Sequence, residues 1–244
     1  MKRKILAWMA AFGAFVSAVV MFTSQGFSLL NGTYDVYQNI SEAFFQKKAE
    51  DNLNVIYTGT SIKYIESIFG SPVRELHSKE GIHEYIYSFK KFYLQVVYDN
   101  NNTVIFYAVT SKDKDFHPNV PYLNVRLGEL FTHYGQNYQF LYSGFSSKFY
   151  EYMECHYLGN PDNYRNFYLS YNPAGVDYQP LQPLPDFTND KRSPPKTEDT
   201  IRFRNNNAPN TFAVGDIHGS PDGRELFYGI GIDYYDARDI PDKD

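Results

Sequence analysis

The chain opens with Lys2, Arg3 and Lys4 and then runs for 18 residues, Ile5 to Phe22, without a charge. Thr23 to Leu30 extend the uncharged stretch with apolar and small polar residues. An apolar helix of about that length spans roughly 30 Å of hydrocarbon. Trp8 suits the membrane interface, and the three cations orient the N-terminus to the cytoplasm. Residues 1–30 therefore read as a single transmembrane anchor, with the rest of the chain on the extracytoplasmic side of a cell membrane. A cleaved signal peptide is the rival, since Val16-Ser17-Ala18 has the small residues a signal peptidase requires. Val19 to Phe22 prolong the apolar run past that point and favour the uncleaved anchor.

Composition narrows the remainder. All 28 acidic residues follow the anchor, with 20 basic ones, so the exported part carries a net −8. That balance disfavours a nucleic-acid partner. A single cysteine, Cys155, excludes a disulfide scaffold. With 20 Phe, 23 Tyr and 43% hydrophobic residues, the chain is too apolar for full disorder.

Past the anchor, residues 31–57 read as a membrane-proximal helix, with Val36, Ile40, Ala43 and Phe44 at helical spacing. A second helix is well punctuated. Thr60 or Ser61 can cap it, Ile62, Ile65, Ile68 and Phe69 form its apolar face, and Gly70 with Pro72 ends it. Three strand-like runs follow at His83–Phe89, Tyr93–Tyr98 and Thr103–Val109, joined by short polar turns. Such spacing predicts an antiparallel meander. The expected fold class is α+β, with one helix on one sheet face over residues 58–116.

The same order reappears over residues 122–171. Leu127, Leu130, Phe131 and Tyr134 make a helical face stopped at Gly135, and strand-like runs follow at 139–145, 149–157 and 166–171. A degenerate second unit and a chance likeness both account for this pattern. Residues 172–199 form a proline-rich linker, with six of the 13 prolines within 172–197. Residues 200–244 read as C-terminal strands at Thr200–Arg204, Thr211–Asp216 and Glu225–Tyr235, with a turn at Ser220-Pro221-Asp222-Gly223 between the last two.

Gly59-Thr60-Ser61 through Gly70-Ser71-Pro72, followed by Tyr85, Tyr87, Phe89, Val97-Tyr98-Asp99 and Val104, resembles the SmpA/OmlA-type small envelope lipoproteins over residues 58–110. The resemblance implies a short helix before a few antiparallel strands. The beta-lactamase-inhibitor-like fold uses such units in tandem. No cysteine stands directly after the apolar run, the single one being Cys155, so the lipidation of those lipoproteins, and their role in outer-membrane assembly, is not implied. The whole layout, with the Ile65–Pro72 motif and Leu127-Gly128-Glu129, resembles the ETEC-locus family of membrane-anchored bacterial proteins. That likeness brings no catalytic residues to carry over.

Candidate chemistry is sparse. Gly215-Asp216-Ile217-His218-Gly219 is similar to the first motif of metallophosphoesterases, in which an Asp and a His two apart reach one metal. Such enzymes need further ligands downstream, and the 25 residues after Gly219 hold no histidine. A strand ending in a glycine-flanked turn explains the string more simply. Cys155 and His156 point to opposite faces of a strand, which reads as a buried thiol beside a surface histidine. Asp99-Asn100-Asn101-Asn102 reads as a hairpin turn rather than a calcium loop. His77, His117 and His133 are scattered, and His83-Glu84 lies on a strand. Tyr142, Phe145, Phe149, Tyr150, Tyr152 and Tyr157 crowd one region, where they either fill a core or form a recognition surface. No catalytic, cofactor-binding or metal residue is assigned, and no cofactor is expected. The expected role is a non-enzymatic binding or scaffold function in the bacterial envelope, toward a protein or envelope partner. The alternatives are a membrane-tethered phosphoesterase using Asp216 and His218, and a glycan-binding module built on Tyr142, Tyr150 and Tyr152.

Overall fold

The computed structural model describes residues 41–78, 81–145, 149–157, 166–185, 195–215 and 229–242. The anchor at 1–30, the first part of the membrane-proximal helix, the Asp216–His218 string and the Ser220–Gly223 turn lie outside the described residues. Among the described residues no helix is long and apolar enough to cross a membrane. The chain divides into two compact units, Met1–Lys47 and Lys48–Asp244. In the first, residues 41–47 are helical; the second begins with residues 48–52 in helix and a 3-10 turn at Leu53–Val55.

The second unit is α+β, built on one eight-stranded antiparallel sheet. Its strands are β1 (Arg74–His77), β2 (Ile82–Ser88), β3 (Phe92–Asp99), β4 (Val104–Ser111), β5 (Gln139–Phe145), β6 (Tyr150–Tyr157), β7 (Asn166–Tyr171) and β8 (Thr211–Gly215), in the order β1-β2-β3-β4-β8-β7-β6-β5. The β2–β4 meander falls where alternation and short turns predicted it. Asp99 makes the β3–β4 turn by accepting from the N–H groups of Asn101 and Thr103, both at 2.9 Å. This is the polar-turn chemistry expected of that segment. Strand β1 is an addition to the predicted set. It is a four-residue edge strand paired antiparallel with β2.

Helix α1 (Ile62–Phe69) is the punctuated helix of the sequence. The Ser61 hydroxyl accepts from the Lys63 N–H, and Gly70 N–H donates to the Glu66 carbonyl at 2.7 Å. Ile62, Ile65 and Phe69 are buried, and the Phe69 ring lies 5.8 Å from Tyr87 and 5.9 Å from Phe89 on β2. This sheet face continues through Leu94, Val96, Tyr107, Val109, Phe212, Val214, Phe167 and Leu169 by register.

Three elements differ from their predictions. Residues 127–134 form no α-helix; a short 3-10 turn, Phe131–Tyr134, stands there, and Leu130 before it is extended. Leu127, Phe131 and Tyr134 are buried all the same, so their apolar character serves packing without helical periodicity. Thr200–Arg204 is not a strand but lies in α2 (Thr197–Asn206). Glu198 and Asp199 sit in its first turn and Arg204 in its last, the charge order that a helix dipole favours. Residues 229–233 form no strand, and Tyr234–Asp239 form a short helix, α3, capped by Asp233. Part of the proline-rich stretch is fastened to the domain rather than free. The Tyr178 hydroxyl donates to the Phe116 carbonyl at 2.5 Å, Gln179 Nε2 donates to the Asn206 carbonyl at 2.9 Å, and Leu184 is buried.

The sheet is covered on both faces, so β3, β4 and β8 are buried almost throughout. The second face receives the C-terminal segment 229–242. Ile230 joins a core with Val97, Phe106, Ala108, Met153, Cys155, Tyr168 and Ala213, and Ile232 packs with Ile86 and Tyr93. Where the segment crosses Thr110 and Asn172, a Cβ on Gly231 would stand 2.6 Å from Thr110 Oγ1. Only a residue without a side chain lets the backbone come so close.

Candidate functional site

Two polar constellations and one exposed pair stand out among the described side chains. The first is buried under α2. Glu154 and His156 on β6 point to the helix-bearing face, while Cys155 between them joins the opposite core. The alternation is as predicted, but His156 is buried rather than on the surface, because α2 and the 3-10 turn close this face. Glu154 Oε1 accepts from His156 Nε2 at 2.8 Å. Its Oε2 accepts from the Tyr152 hydroxyl at 2.7 Å and from Arg204 Nε at 3.0 Å. Arg204 Nη2 donates to the carbonyls of Phe131 and Gly135 at 2.9 and 2.6 Å, and its guanidinium lies 3.8 Å from the Tyr138 ring centroid. Burial, with the adjacent Glu154, raises the Tyr152 phenol well above its usual range, so it stays a donor.

A carboxylate and a guanidinium buried this deeply are stable only when paired and fully hydrogen-bonded. Here every partner comes from the chain itself, from β6, α2 and the 3-10 turn. The cluster cross-links β6, α2 and the 3-10 turn in the second half of the domain. Its aromatic neighbours serve the same core. Tyr150 and Tyr152 are 6% and 0% exposed, and Tyr152 packs against Phe131 and Phe203. The ring exposure required of Tyr150 and Tyr152 in a glycan-binding surface is not there.

The second constellation fastens the C-terminal segment. Gln95 Nε2 donates to the Gly229 carbonyl at 3.2 Å, and its Oε1 accepts from Gly231 N–H at 2.9 Å. Asn172 Nδ2 donates to the carbonyls of Ile230 and Ile232 at 3.1 and 3.0 Å. Two side-chain amides thus satisfy backbone that no neighbouring strand pairs. Farther along, Arg74 pairs with Asp236, the Tyr93 hydroxyl donates to the Ala237 carbonyl at 3.3 Å, and Lys112 pairs with Asp242.

Acidic side chains oppose this docking. Burial raises Glu84 above the usual carboxylate range, with Asp236 adding to the rise, against Gln95 and Arg74, which lower it. Burial, with the charge of Asp233, pushes Glu151 up to about 7. A carboxyl that holds its proton more tightly when folded stabilises the fold below its unfolded pKa, about 4.3, and loses that contribution as pH rises through its folded value. The wild-type protein is therefore expected to lose roughly 3–4 kcal/mol through Glu151 between pH 4 and 8. Glu151→Gln should remove that part of the slope and be the more stable protein at pH 8. Denaturant midpoints of both proteins across this range check it; parallel profiles would refute it.

The exposed pair is His77 and His83, which the sequence leaves apart and the β1–β2 hairpin sets directly opposite each other. Their Nδ1 atoms stand 2.7 Å apart. Among the described residues, no group of three or more His, Cys, Asp or Glu converges as a metal site.

No protein-family model matches this chain, and no curated protein or solved structure matches it.

Proposed function

We propose that this chain is a single-pass membrane-anchored protein whose extracytoplasmic α+β domain has a non-enzymatic binding or scaffold role in the bacterial envelope. The observation that carries the reading is the uncharged run Ile5–Phe22 behind Lys2, Arg3 and Lys4, followed by a remainder that holds every acidic residue. The domain's construction supports it. Two four-stranded halves, β1–β4 and β5–β8, lie side by side in one sheet and meet at β4 and β8. In the first half α1 precedes all four strands, and in the second the Phe131–Tyr134 turn precedes β5. This is how a helix-plus-meander unit and its degenerate copy would sit, in keeping with the likeness to SmpA/OmlA-type units and the ETEC-locus family. The most elaborate polar cluster, around Glu154, is spent on cross-linking the domain, which favours a scaffold over a catalyst.

Alkaline carbonate extraction of membranes from cells making the full-length protein tests the anchor. The protein is expected to remain in the membrane pellet, with a phosphatase fused at its C-terminus active outside the cytoplasm. Release of the intact chain, or a fusion active only in the cytosol, would overturn the reading.

A further inference from the structure

We propose that His77 and His83 form a two-histidine site for a divalent transition-metal ion, with copper(II) the tightest binder. The case rests on which ring nitrogen each histidine has free. His83 Nε2 lies 3.2 Å from Asn100 Oδ1, an acceptor, so the proton belongs on Nε2 and the lone pair on Nδ1. His77 Nε2 stands 3.8 Å from Glu75 Oε2, beyond hydrogen-bond reach, which leaves His77 Nδ1 to carry the proton shared with His83 Nδ1. Both Nδ1 atoms face the same gap, 2.7 Å across. That is hydrogen-bond distance, so the metal-free pair shares one proton, and a metal ion that displaces it gains a lone pair from each ring.

An oxygen acceptor behind the far nitrogen is what fixes a metal-binding imidazole in its working tautomer, and His83 has one in Asn100. The rings are otherwise held as well. His83 stacks on Tyr98 with centroids 5.0 Å apart, and His77 meets His83 edge-on at 4.9 Å. Metal–nitrogen bonds of about 2.0–2.1 Å need nitrogens about 2.9 Å apart at the right angle of a tetragonal copper(II) site and about 3.3 Å apart at the tetrahedral angle of zinc(II), which the rings reach by turning and opening slightly on the hairpin. Two imidazoles with water completing the shell suit copper, nickel and zinc, and the usual stability order puts copper(II) first.

Titration of the full-length protein in detergent with copper(II) tests this, with the His77→Ala/His83→Ala double variant as the reference for adventitious binding elsewhere. The wild type is expected to bind one copper(II) more than the double variant, with an electron paramagnetic resonance signal showing coupling to two nitrogens. His77→Ala and His83→Ala should each weaken that site at least tenfold, and Asn100→Ala about tenfold by freeing the His83 tautomer. Zinc(II) should compete for the same equivalent, more weakly. His77 is exposed and His83 half-buried against Tyr98, and circular dichroism matching the wild type will show that the variants fold. Identical isotherms for wild type and double variant would mean that the pair shares a proton only, and would overturn the proposal. Single variants that bind as tightly as the wild type would overturn it equally.

Discussion

Arg204→Met is expected to destabilise the domain by about 3–5 kcal/mol, because it leaves the buried Glu154 carboxylate without its counter-charge. Arg204 and Glu154 are 1% and 0% exposed, so water cannot replace the lost partner. The change also orphans the carbonyls of Phe131 and Gly135, the acceptors that tie the 3-10 turn to α2. Arg204→Lys should recover only part of the loss, since an ammonium cannot reproduce the planar fork that meets three acceptors at once. Glu154→Gln alone should also be costly, because the guanidinium then stays buried without a carboxylate. The double variant Glu154→Gln/Arg204→Met should be clearly less harmful than the sum of the two singles, the coupling expected of residues in direct contact. Urea unfolding of the full-length protein in mild detergent measures all four. Additive effects, or an Arg204→Met loss below about 1 kcal/mol, the range of an exposed pair, would show that the cluster does not lock this half of the domain.

How far the sequence anticipates this structure follows from how local each cause is. Helix α1 and strands β2 to β4 were legible because a capping serine, a glycine stop, period-two alternation and polar turns all act within a few residues. Helix α2 had a local signal too. Glu198 and Asp199 before Arg204 mark a helix dipole, but Thr200, Ile201 and Phe203 favour a strand and outweighed it. Strand β1 is four residues long with only Leu76 apolar, too brief for any pattern. With β1 unread, nothing placed His77 beside His83. The remaining interactions are long-range. Arg204 meets Glu154 across 50 positions, and Gln95 meets Gly231 across 136. His156 was misjudged for a related reason. A meander with one open face sends alternate residues to water, and here both faces are covered.

Gly215→Ala is expected to be of comparable severity, and it separates two readings of the Gly215–Gly219 string. Gly215 closes β8 opposite Phe106 of β4, with φ +129°, a conformation that L side chains rarely adopt. A Cβ there would stand 2.2 Å from the Ile105 carbonyl oxygen and 2.6 Å from Phe106 Cα. These are backbone atoms of a central strand, so no rotamer change can make room. Relief requires β4 and β8 to move apart. Backbone strain of about 1–3 kcal/mol and overpacking of about 1–3 kcal/mol together put the loss near 2–6 kcal/mol. Because β4–β8 is where the two halves of the sheet meet, the damage should reach beyond the strand end. Hydrogen exchange should quicken at Ala108, Ala213 and Val214 in the central strands, while the β2–β3 amides keep more of their protection. If Gly215 were instead the first glycine of a metal-binding motif, alanine would leave stability intact and alter only ligand binding. A Gly215→Ala protein with wild-type denaturant midpoint and unchanged exchange would remove the packing explanation. A destabilised one would mean that the resemblance of this string to a catalytic motif starts from a residue the sheet already demands.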